Sequence, residues 1–119
     1  MSKFIQQQKG LYNSLVSCYC PAIHQTVYFT TDGFRHLLYR KRRPRNPREQ
    51  HYRVALISYI KTVIMDARDV RSMVYPLKPI VMWSLSHPML INGRKQIVKV
   101  ILQKEGNGKI KFLSVMSKK

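Results

Sequence analysis

Acidic residues are scarce in this sequence, and their scarcity excludes several kinds of chemistry. Only 5 Asp and Glu residues stand against 22 Lys and Arg, which gives a formal net charge of +17 at pH 7. A nuclease that uses two metal ions needs several carboxylate ligands, and no carboxylates are paired here near a histidine cluster. The sequence also lacks a Gly-rich phosphate loop and a Gly-x-Ser-x-Gly elbow. We therefore expect no cofactor, and any catalysis is predicted to be independent of metal ions.

Cysteine is equally rare. The 2 cysteines, Cys18 and Cys20, are one residue apart, and a disulfide between them would be strained and would constrain little of the chain. A metal site could recruit His24 as a third ligand, but a fourth ligand is not evident and the spacing matches no common zinc pattern. We expect reduced, partly buried thiols at the start of the first strand and no bound metal.

Long apolar runs are missing as well. No run approaches the length of about 18 residues that a membrane-spanning helix requires. The first 20 residues lack the basic region, apolar stretch and small-residue cleavage site of a secretory signal. These absences predict a protein without a membrane partner and with a cytoplasmic location.

What is present is the composition of a folded domain. The chain has 119 residues, of which 45% are hydrophobic, and its aromatic residues extend from Phe4 to Phe112. This length suits one hydrophobic core and hardly two, so we predict a single domain over residues 1–119. Within it, residues 1–20 are predicted to form an N-terminal helical segment and residues 24–117 an α+β core.

Apolar spacing predicts helices in the first half of the chain. Leu11, Tyr12, Leu15 and Val16 share one helical face, and Pro21 breaks that pattern. A strand is predicted over residues 26–30, and Thr31 with Asp32 signals the start of a second helix. The longest repeat of apolar residues at i, i+3, i+4 and i+7 predicts one continuous helix over residues 52–67, with His51 at its start.

The second half of the chain is predicted to be mainly sheet. Strands are expected over residues 80–85, 96–103 and 109–116, separated by the turn signals Asn92-Gly93 and Gly106-Asn107-Gly108. In the last strand, alternation places Ile110, Phe112, Ser114 and Met116 on one face. Because strands joined by tight turns pair antiparallel, we predict an α+β fold with N-terminal helices packed on an antiparallel sheet formed mainly by the C-terminal half.

The positive charge has a centre between the two long predicted helices. Residues 40–48 hold six basic side chains and no acidic one. They are Arg40, Lys41, Arg42, Arg43, Arg45 and Arg48. Such a surplus repels itself unless a polyanion relieves it, so the expected partner is a nucleic acid, RNA rather than DNA.

One helical face in this region could carry chemistry. His36, Tyr39, Arg40 and Arg43 are spaced i, i+3, i+4 and i+7, which would place an imidazole beside guanidinium groups. RNA cleavage needs these groups, because protons must be transferred and cations must stabilise the developing phosphorane. The alternative is that His36 is an ordinary surface histidine and that the arginines are solvated or bind phosphate without chemistry.

Two segments carry a family resemblance. Val27-Tyr28-Phe29-Thr30-Thr31 followed by Gly33-Phe34-Arg35-His36-Leu37-Leu38, and the closing Ile110-Lys111-Phe112-Leu113-Ser114-Val115, resemble the small nucleases that include barnase, EndoU, colicin-type tRNases and RelE-like toxins. The phage-associated branch is the most similar, and the resemblance covers residues 24–117. It implies His36 as acid or base, Arg40 and Arg43 as phosphate ligands, and Ser114 or Lys111 from the last strand facing the cleft.

The sequence therefore favours a metal-independent endoribonuclease, as in the toxin of a toxin–antitoxin pair, with an acidic antitoxin or inhibitor protein as a further partner. The alternative is a non-catalytic RNA- or DNA-binding module, for which the basic segment alone is enough. A third hypothesis is a protein-interaction or inhibitor domain whose positive charge binds an acidic protein. The expected catalytic residues are His36, Arg40, Arg43, Ser114 and Lys111. The expected nucleic-acid-binding residues are Arg35, Lys41, Arg42, Arg45, Arg48, His51, Arg53 and Lys109.

Overall fold

Helices occupy the first part of the chain in the computed structural model, which describes residues 2–118. The first and last positions of the predicted domain, 1 and 119, lie outside the described residues. The helices are α1 (Lys3–Leu15), α2 (Thr31–Leu38), α3 (Pro47–Val54) and α4 (Ile60–Asp66), and a short 3-10 turn (Ile57–Tyr59) lies between α3 and α4.

Strands form one six-stranded sheet and one small ribbon. The sheet contains β1 (Ser17–Cys20), β2 (Gln25–Tyr28), β5 (Asp69–Val74), β6 (Ile80–Ile91), β7 (Arg94–Glu105) and β8 (Ile110–Lys118), and the ribbon contains β3 (Tyr39–Arg40) and β4 (Arg43–Pro44). The order of strands across the sheet is β1-β2-β8-β7-β6-β5. The α+β class and the dominance of the C-terminal half are thus confirmed.

The prediction of a purely antiparallel sheet is wrong. β2 pairs with β8 in parallel, through Val27 opposite Ile110 and Tyr28 opposite Lys111, so the sheet is mixed. Short turns join β6, β7 and β8, and these strands do pair antiparallel. β2 is separated from β8 by most of the chain, and a long connection allows parallel pairing.

The hydrophobic core lies between the helices and one face of the sheet. In β7, Val98, Val100 and Leu102 are fully buried at alternate positions, as expected of a sheet covered on one face. α4 packs against β6 and β7, and its Ile60, Val63 and Ile64 are also fully buried. The buried hydrophobic residues belong to a single cluster that includes side chains from α1 to β8.

The N-terminal helical segment is shorter than predicted. α1 ends at Leu15, and residues 17–20 form β1, which pairs antiparallel with β2. Cys18 and Cys20 are therefore buried in a strand of their own and not at the start of β2. Helical periodicity detected α1, but a four-residue strand is too short to produce a comparable signal.

The predicted helix over residues 52–67 is interrupted. α3 starts at Pro47 with Asn46 as its N-cap, earlier than His51, and ends at Val54. The chain then turns through Leu56 and the 3-10 segment before α4 begins. A straight helix would bury Ala55, whereas the structure exposes Ala55 and buries Val54 and Ile57 on the core side. Tertiary packing has therefore overridden the helical repeat.

β8 contains an irregularity that changes which residues face the core. Its register with β7 shifts at Ile101 and Leu102, so that Phe112 lies opposite Leu102 but Ser114 lies opposite Ile101. The strand accordingly buries Val115 and leaves Met116 half-buried, contrary to the predicted alternation. A β-bulge inserts one residue and inverts the alternation beyond it, and Ser114 is thereby removed from the face of Phe112.

Gly33 holds α2 close to β8. A Cβ atom at this position would lie 2.7 Å from the carbonyl oxygen of Phe112, which is too close for any side chain. α2, the helix that carries His36, therefore packs directly against β8. Within residues 2–118, no helix combines the length and the apolar character needed to cross a membrane.

Candidate nucleic-acid interface

α2 presents His36 in its last turn. The helix starts at Thr30, whose hydroxyl accepts a hydrogen bond from the backbone N–H of Gly33 (3.4 Å), and Asp32 lies in the first turn, where a carboxylate suits the helix dipole. Phe34, Leu37 and Leu38 are buried, so His36 and Arg35 lie on the exposed side.

The predicted helical stripe does not extend beyond His36. α2 ends at Leu38 because Tyr39 adopts an extended conformation (φ −128°, ψ 148°). Arg40 and Arg43 lie on β3 and β4, where they face each other as a strand pair. The assignment of Tyr39, Arg40 and Arg43 to one helical face is therefore wrong, although the three residues remain close to α2 in the sequence and in space.

Residues 39–44 form a small, exposed structure that we call the basic hairpin. Its two strands are joined by Lys41 and Arg42, both of which have positive φ angles, 50° and 68°. A two-residue turn with φ positive at both positions normally carries Asn and Gly, because longer side chains are strained there. Two adjacent basic residues with left-handed backbone conformations are unusual. Backbone strain of this kind is often retained at functional sites.

The His36 groove lies on one side of the basic hairpin. It has a volume of about 380 Å³ and is lined by Asp32, Arg35, His36, Tyr39, Lys41 and Arg42. The Arg35 guanidinium carbon lies 5.5 Å from the centre of the Tyr39 ring, a cation–π contact that holds both side chains at the groove. One imidazole, one carboxylate, one phenol ring and three cations therefore share a solvent-open site.

A second basic depression lies on the other side of the hairpin. Its volume is about 730 Å³, and it is lined by Arg40, Lys41, Arg43, Pro44, Arg45, Asn46 and Glu49. Because Lys41 lines both depressions, they are neighbours and form one continuous basic surface.

A polar chain connects the backbone of His36 with Ser114. Arg45 Nε donates to the carbonyl oxygen of His36 (3.1 Å), and Arg45 Nη1 lies 3.8 Å from Glu49 Oε1. Arg53 Nε donates to the same Glu49 oxygen (2.8 Å), and Arg53 Nη1 donates to Ser114 Oγ (2.8 Å). His36 and Ser114, two residues of the predicted catalytic set, are thus connected through the side chains of Arg45, Glu49 and Arg53.

Arg45 and Arg53 both make hydrogen bonds or ion pairs within this surface. Burial and the neighbouring Arg53 guanidinium lower the pKa of Arg45, against the opposing effect of Glu49. Arg53 is only 14% exposed in its side chain, so it cannot reach far into solvent. Arg45 also lines the second basic depression, whereas Arg53 is turned toward Glu49 and Ser114. Direct binding of nucleic acid by these two residues stays a prediction.

α3 also closes the free edge of β8. β2 pairs with β8 only as far as Lys111, so the later part of β8 pairs with β7 on one side and, among the described residues, with no strand on the other. The N–H of Ser117 donates to the Tyr52 hydroxyl (2.6 Å), which in turn donates to the Ser117 carbonyl (2.8 Å). Arg53 Nη1 reaches the carbonyl of Val115 (3.5 Å). These contacts fix α3, and with it Glu49, against the sheet.

The other predicted residues are more dispersed. Arg48 is exposed on α3, whereas the His51 ring stacks on Phe4 with centroids 5.1 Å apart, which involves it in packing α1 on α3. Lys109 lies over the Tyr28 ring, 4.5 Å from its centre. Lys109 and Lys111 line a separate small depression of about 210 Å³ next to β7. Neither Lys111 nor Ser114 lines the His36 groove.

Two carboxylates at the site were missed as functional residues. The sequence pattern assigns Asp32 only to the start of a helix and gives Glu49 no role. Both lie four residues from a partner: Asp32 precedes His36, and Glu49 stands midway between Arg45 and Arg53. The i, i+4 spacing of charged or titratable groups was the sequence signal that could have identified them.

The cysteines are remote from this chemistry. Burial raises the pKa of the Cys18 thiol, which disfavours the reactive thiolate form. Among residues 2–118, no three His, Cys, Asp or Glu side chains converge on a position that could hold a metal ion. The considered trio of Cys18, Cys20 and His24 therefore does not form a ligand set.

No protein-family model, curated protein or solved structure matches this chain.

Proposed function

We propose that this chain is a metal-independent endoribonuclease that binds RNA across the basic hairpin and cleaves it at the His36 groove. The observation that carries the proposal is the composition of that groove. It combines two groups that can transfer protons, His36 and Asp32, with the cations Arg35, Lys41 and Arg42. The resemblance of residues 24–117 to small nucleases supports the same activity.

The reaction requires two proton transfers. The 2′-hydroxyl oxygen attacks the adjacent phosphorus, the bond from phosphorus to the 5′ oxygen breaks, and a 2′,3′-cyclic phosphate remains. A base must take the 2′ proton, and an acid must protonate the departing 5′ oxygen. Asp32 and His36 are one helical turn apart and line the same groove. In the proposal, the Asp32 carboxylate accepts the first proton and the His36 imidazolium donates the second.

The cations have a separate task. Negative charge accumulates on the non-bridging oxygens in the transition state, and guanidinium and ammonium groups at the groove stabilise it. Arg35 lies over the Tyr39 ring, and the hairpin turn carries Lys41 and Arg42 to the edge of the same groove. Arg40 and Arg43 line the neighbouring depression, where they would bind the flanking phosphates.

Tyr39 gives the site a means of holding an unpaired base. Its ring is exposed at the edge of the groove and is backed by Arg35. Base stacking on an aromatic ring tolerates any sequence and favours single strands over a duplex. The proposed substrate is therefore single-stranded RNA, and an acidic antitoxin or inhibitor would act by covering the same groove.

The experiment that tests this proposal is incubation of the purified protein with total RNA in the presence of EDTA. Fragmentation that is unchanged by EDTA is expected, because proton transfer between side chains requires no bound cation. Intact RNA, or cleavage abolished by EDTA, would contradict the proposal.

A non-catalytic RNA- or DNA-binding module is the second candidate, and one observation favours it. Ser114 and Lys111, the last-strand residues that the family resemblance implies at the cleft, do not line the His36 groove. The basic hairpin would bind phosphates without their help. Tight, salt-sensitive binding of RNA that is recovered intact would identify this alternative.

A further inference from the structure

β5 is the outermost strand at the end of the sheet opposite to β1. It pairs with β6 in a regular antiparallel register, and all six of its residues are exposed. Within the described residues, no strand pairs with its outer edge. Native proteins usually protect such an edge with proline, a bulge, charged side chains or covering structure. β5 contains neither proline nor a register shift, and its two charged residues, Asp69 and Arg71, have opposite signs. Its backbone is therefore open to a further strand that can pair with these charges.

The two faces of β5 differ in character. Val70, Ser72 and Val74 lie opposite Leu85, Trp83 and Val81, on the face that carries the buried Leu85. Val74 is 68% exposed, and Leu77 just beyond the strand is 96% exposed. Val70 and Val74, on either side of Ser72, therefore leave apolar surface on this face, and Met73 is an exposed apolar side chain on the other face.

The other face of β5 borders a basic pocket. The pocket has a volume of about 360 Å³, and its lining includes Arg68, Arg71, Lys99 and Lys118 around the hydroxyl groups of Ser84 and Ser86. Asp69 is the one carboxylate in the lining, and Arg71 Nε donates to it (3.2 Å). The terminal nitrogens of Arg71 are left for another acceptor.

We propose that the β5 edge binds an extended segment of a partner protein in which apolar and acidic residues alternate, as a seventh strand of the sheet. Alternate side chains of an added strand point to opposite faces. Apolar side chains of the partner would cover Val70 and Val74, and its carboxylates would reach Arg71 and the basic pocket. The site lies at the far edge of the sheet from β2 and does not depend on the proposed ribonuclease activity.

The charge and chemistry of the β5 edge favour an acidic and apolar peptide strand over a second copy of this chain and over RNA. A second copy would bring another chain of charge +17, with its own Arg71, to the same edge. RNA would satisfy the cations but would leave Val70, Val74 and Leu77 exposed, and it has no regular series of amides to pair with β5. An acidic and apolar strand matches both faces and the backbone.

The test uses a fluorescein-labelled peptide of ten residues that alternates valine and glutamate. Its binding to the intact protein is measured by fluorescence anisotropy, beside two control peptides: one that alternates valine and lysine, and a valine–glutamate peptide with N-methyl groups on alternate amides. We expect the first peptide to bind and neither control to do so, because one control has the wrong charge and the other cannot complete the ladder of hydrogen bonds.

Two variants locate the binding site. Arg71→Glu should weaken binding of the valine–glutamate peptide by about tenfold, since it reverses a charge directly at the edge. Arg94→Glu makes the same change at the exposed β6–β7 turn and should leave the affinity nearly unaltered. Circular dichroism of both variants shows whether the sheet is retained.

Several results would overturn the proposal. If Arg71→Glu and Arg94→Glu weaken peptide binding equally, the peptide responds only to the net charge of the protein. If the N-methylated peptide binds as tightly as the unmodified one, strand addition is excluded. Displacement of the peptide by RNA would place it on the basic hairpin. Light scattering that finds a dimer dissociated by Arg71→Glu would assign the edge to a second copy. Absence of binding by the valine–glutamate peptide would refute the proposed chemistry of the partner.

Discussion

His36 is the residue on which the proposed chemistry depends most directly. It lies on the exposed side of α2, away from the buried Phe34, Leu37 and Leu38, and its imidazole is free to act in the groove. His36→Ala should lower RNA cleavage by about a hundredfold, the usual scale for the loss of a general acid or base. Because no core contact is removed, the free energy of unfolding should change by less than about 0.5 kcal/mol.

The check for His36→Ala pairs a melting curve with a cleavage assay in EDTA. A variant that melts like the wild type and cleaves equally well would show that His36 is an ordinary surface residue. A variant that unfolds would mean that its role is structural.

Asp32 permits a sharper separation of binding from chemistry. Asp32→Asn keeps the size of the side chain but removes the carboxylate from the His36 groove. Cleavage should fall by about a hundredfold because the base is lost, while RNA should bind at least as tightly because a negative charge has been removed from a basic surface. Anisotropy measures the binding and gel analysis the cleavage. Parallel losses of both would mean that Asp32 only maintains α2.

At the scale of the element, the basic hairpin holds Lys41 and Arg42 in strained left-handed conformations. Replacement of this pair by the residues that the turn prefers, in Lys41→Asn/Arg42→Gly, should raise the free energy of unfolding by about 1 kcal/mol. The same variant should bind RNA more weakly, because two fixed cations are lost.

The matched variant Lys41→Ala/Arg42→Ala removes the same charges without relieving the turn. Both variants should therefore bind RNA equally poorly, but only the Asn-Gly variant should melt above the wild type. If the Asn-Gly variant retains full affinity, the hairpin is not part of the interface.

The extent to which these elements could be predicted depended on their length and on local chemistry. Asn92-Gly93 was correctly predicted as a turn, and both residues have the positive φ angles that such a turn requires. α1 and β7 follow from periodicity, and α2 from its start signals. β1 and β3 are too short to show a period. The break after Val54 and the bulge near Ser114 arise from packing, which no local pattern encodes.

The candidate site was predictable to a similar degree. The basic residues of the hairpin and His36 were identified from charge and spacing, but Tyr39, Arg40 and Arg43 were placed on a helix that ends at Leu38. The polar chain through Glu49 depends on the position of α3 against β8, which is fixed by contacts of Tyr52 and Arg53 with residues more than 60 positions away. Sequence alone could not supply that placement.

At the scale of the whole molecule, the net charge of +17 should make the proposed affinity for RNA strongly dependent on salt. Each phosphate contact contributes a slope of about −0.7 to a plot of log affinity against log salt concentration for single strands. Lys41→Ala/Arg42→Ala should make this slope less negative by about 1.4, because two contacts are lost. Titrations at several salt concentrations measure the effect.

A second double variant with the same change in net charge distinguishes phosphate contacts made by the hairpin from the overall positive charge of the protein. Arg94 and Lys95 are exposed at the β6–β7 turn and line neither of the two depressions at the basic hairpin. Arg94→Ala/Lys95→Ala should leave the slope close to that of the wild type. Equal changes in the two double variants would mean that RNA is held by diffuse charge and not by the hairpin.

The central claim is that the 2′-hydroxyl of RNA attacks its own phosphate at the His36 groove without the help of a metal ion. Its most direct test compares a mixed-sequence RNA oligonucleotide with its 2′-O-methyl counterpart, each incubated with the protein in EDTA and analysed by mass spectrometry. The account predicts that the RNA is cut into fragments that end in 2′,3′-cyclic phosphate and that the 2′-O-methyl strand remains intact. Cleavage of both strands, or of neither, would contradict it.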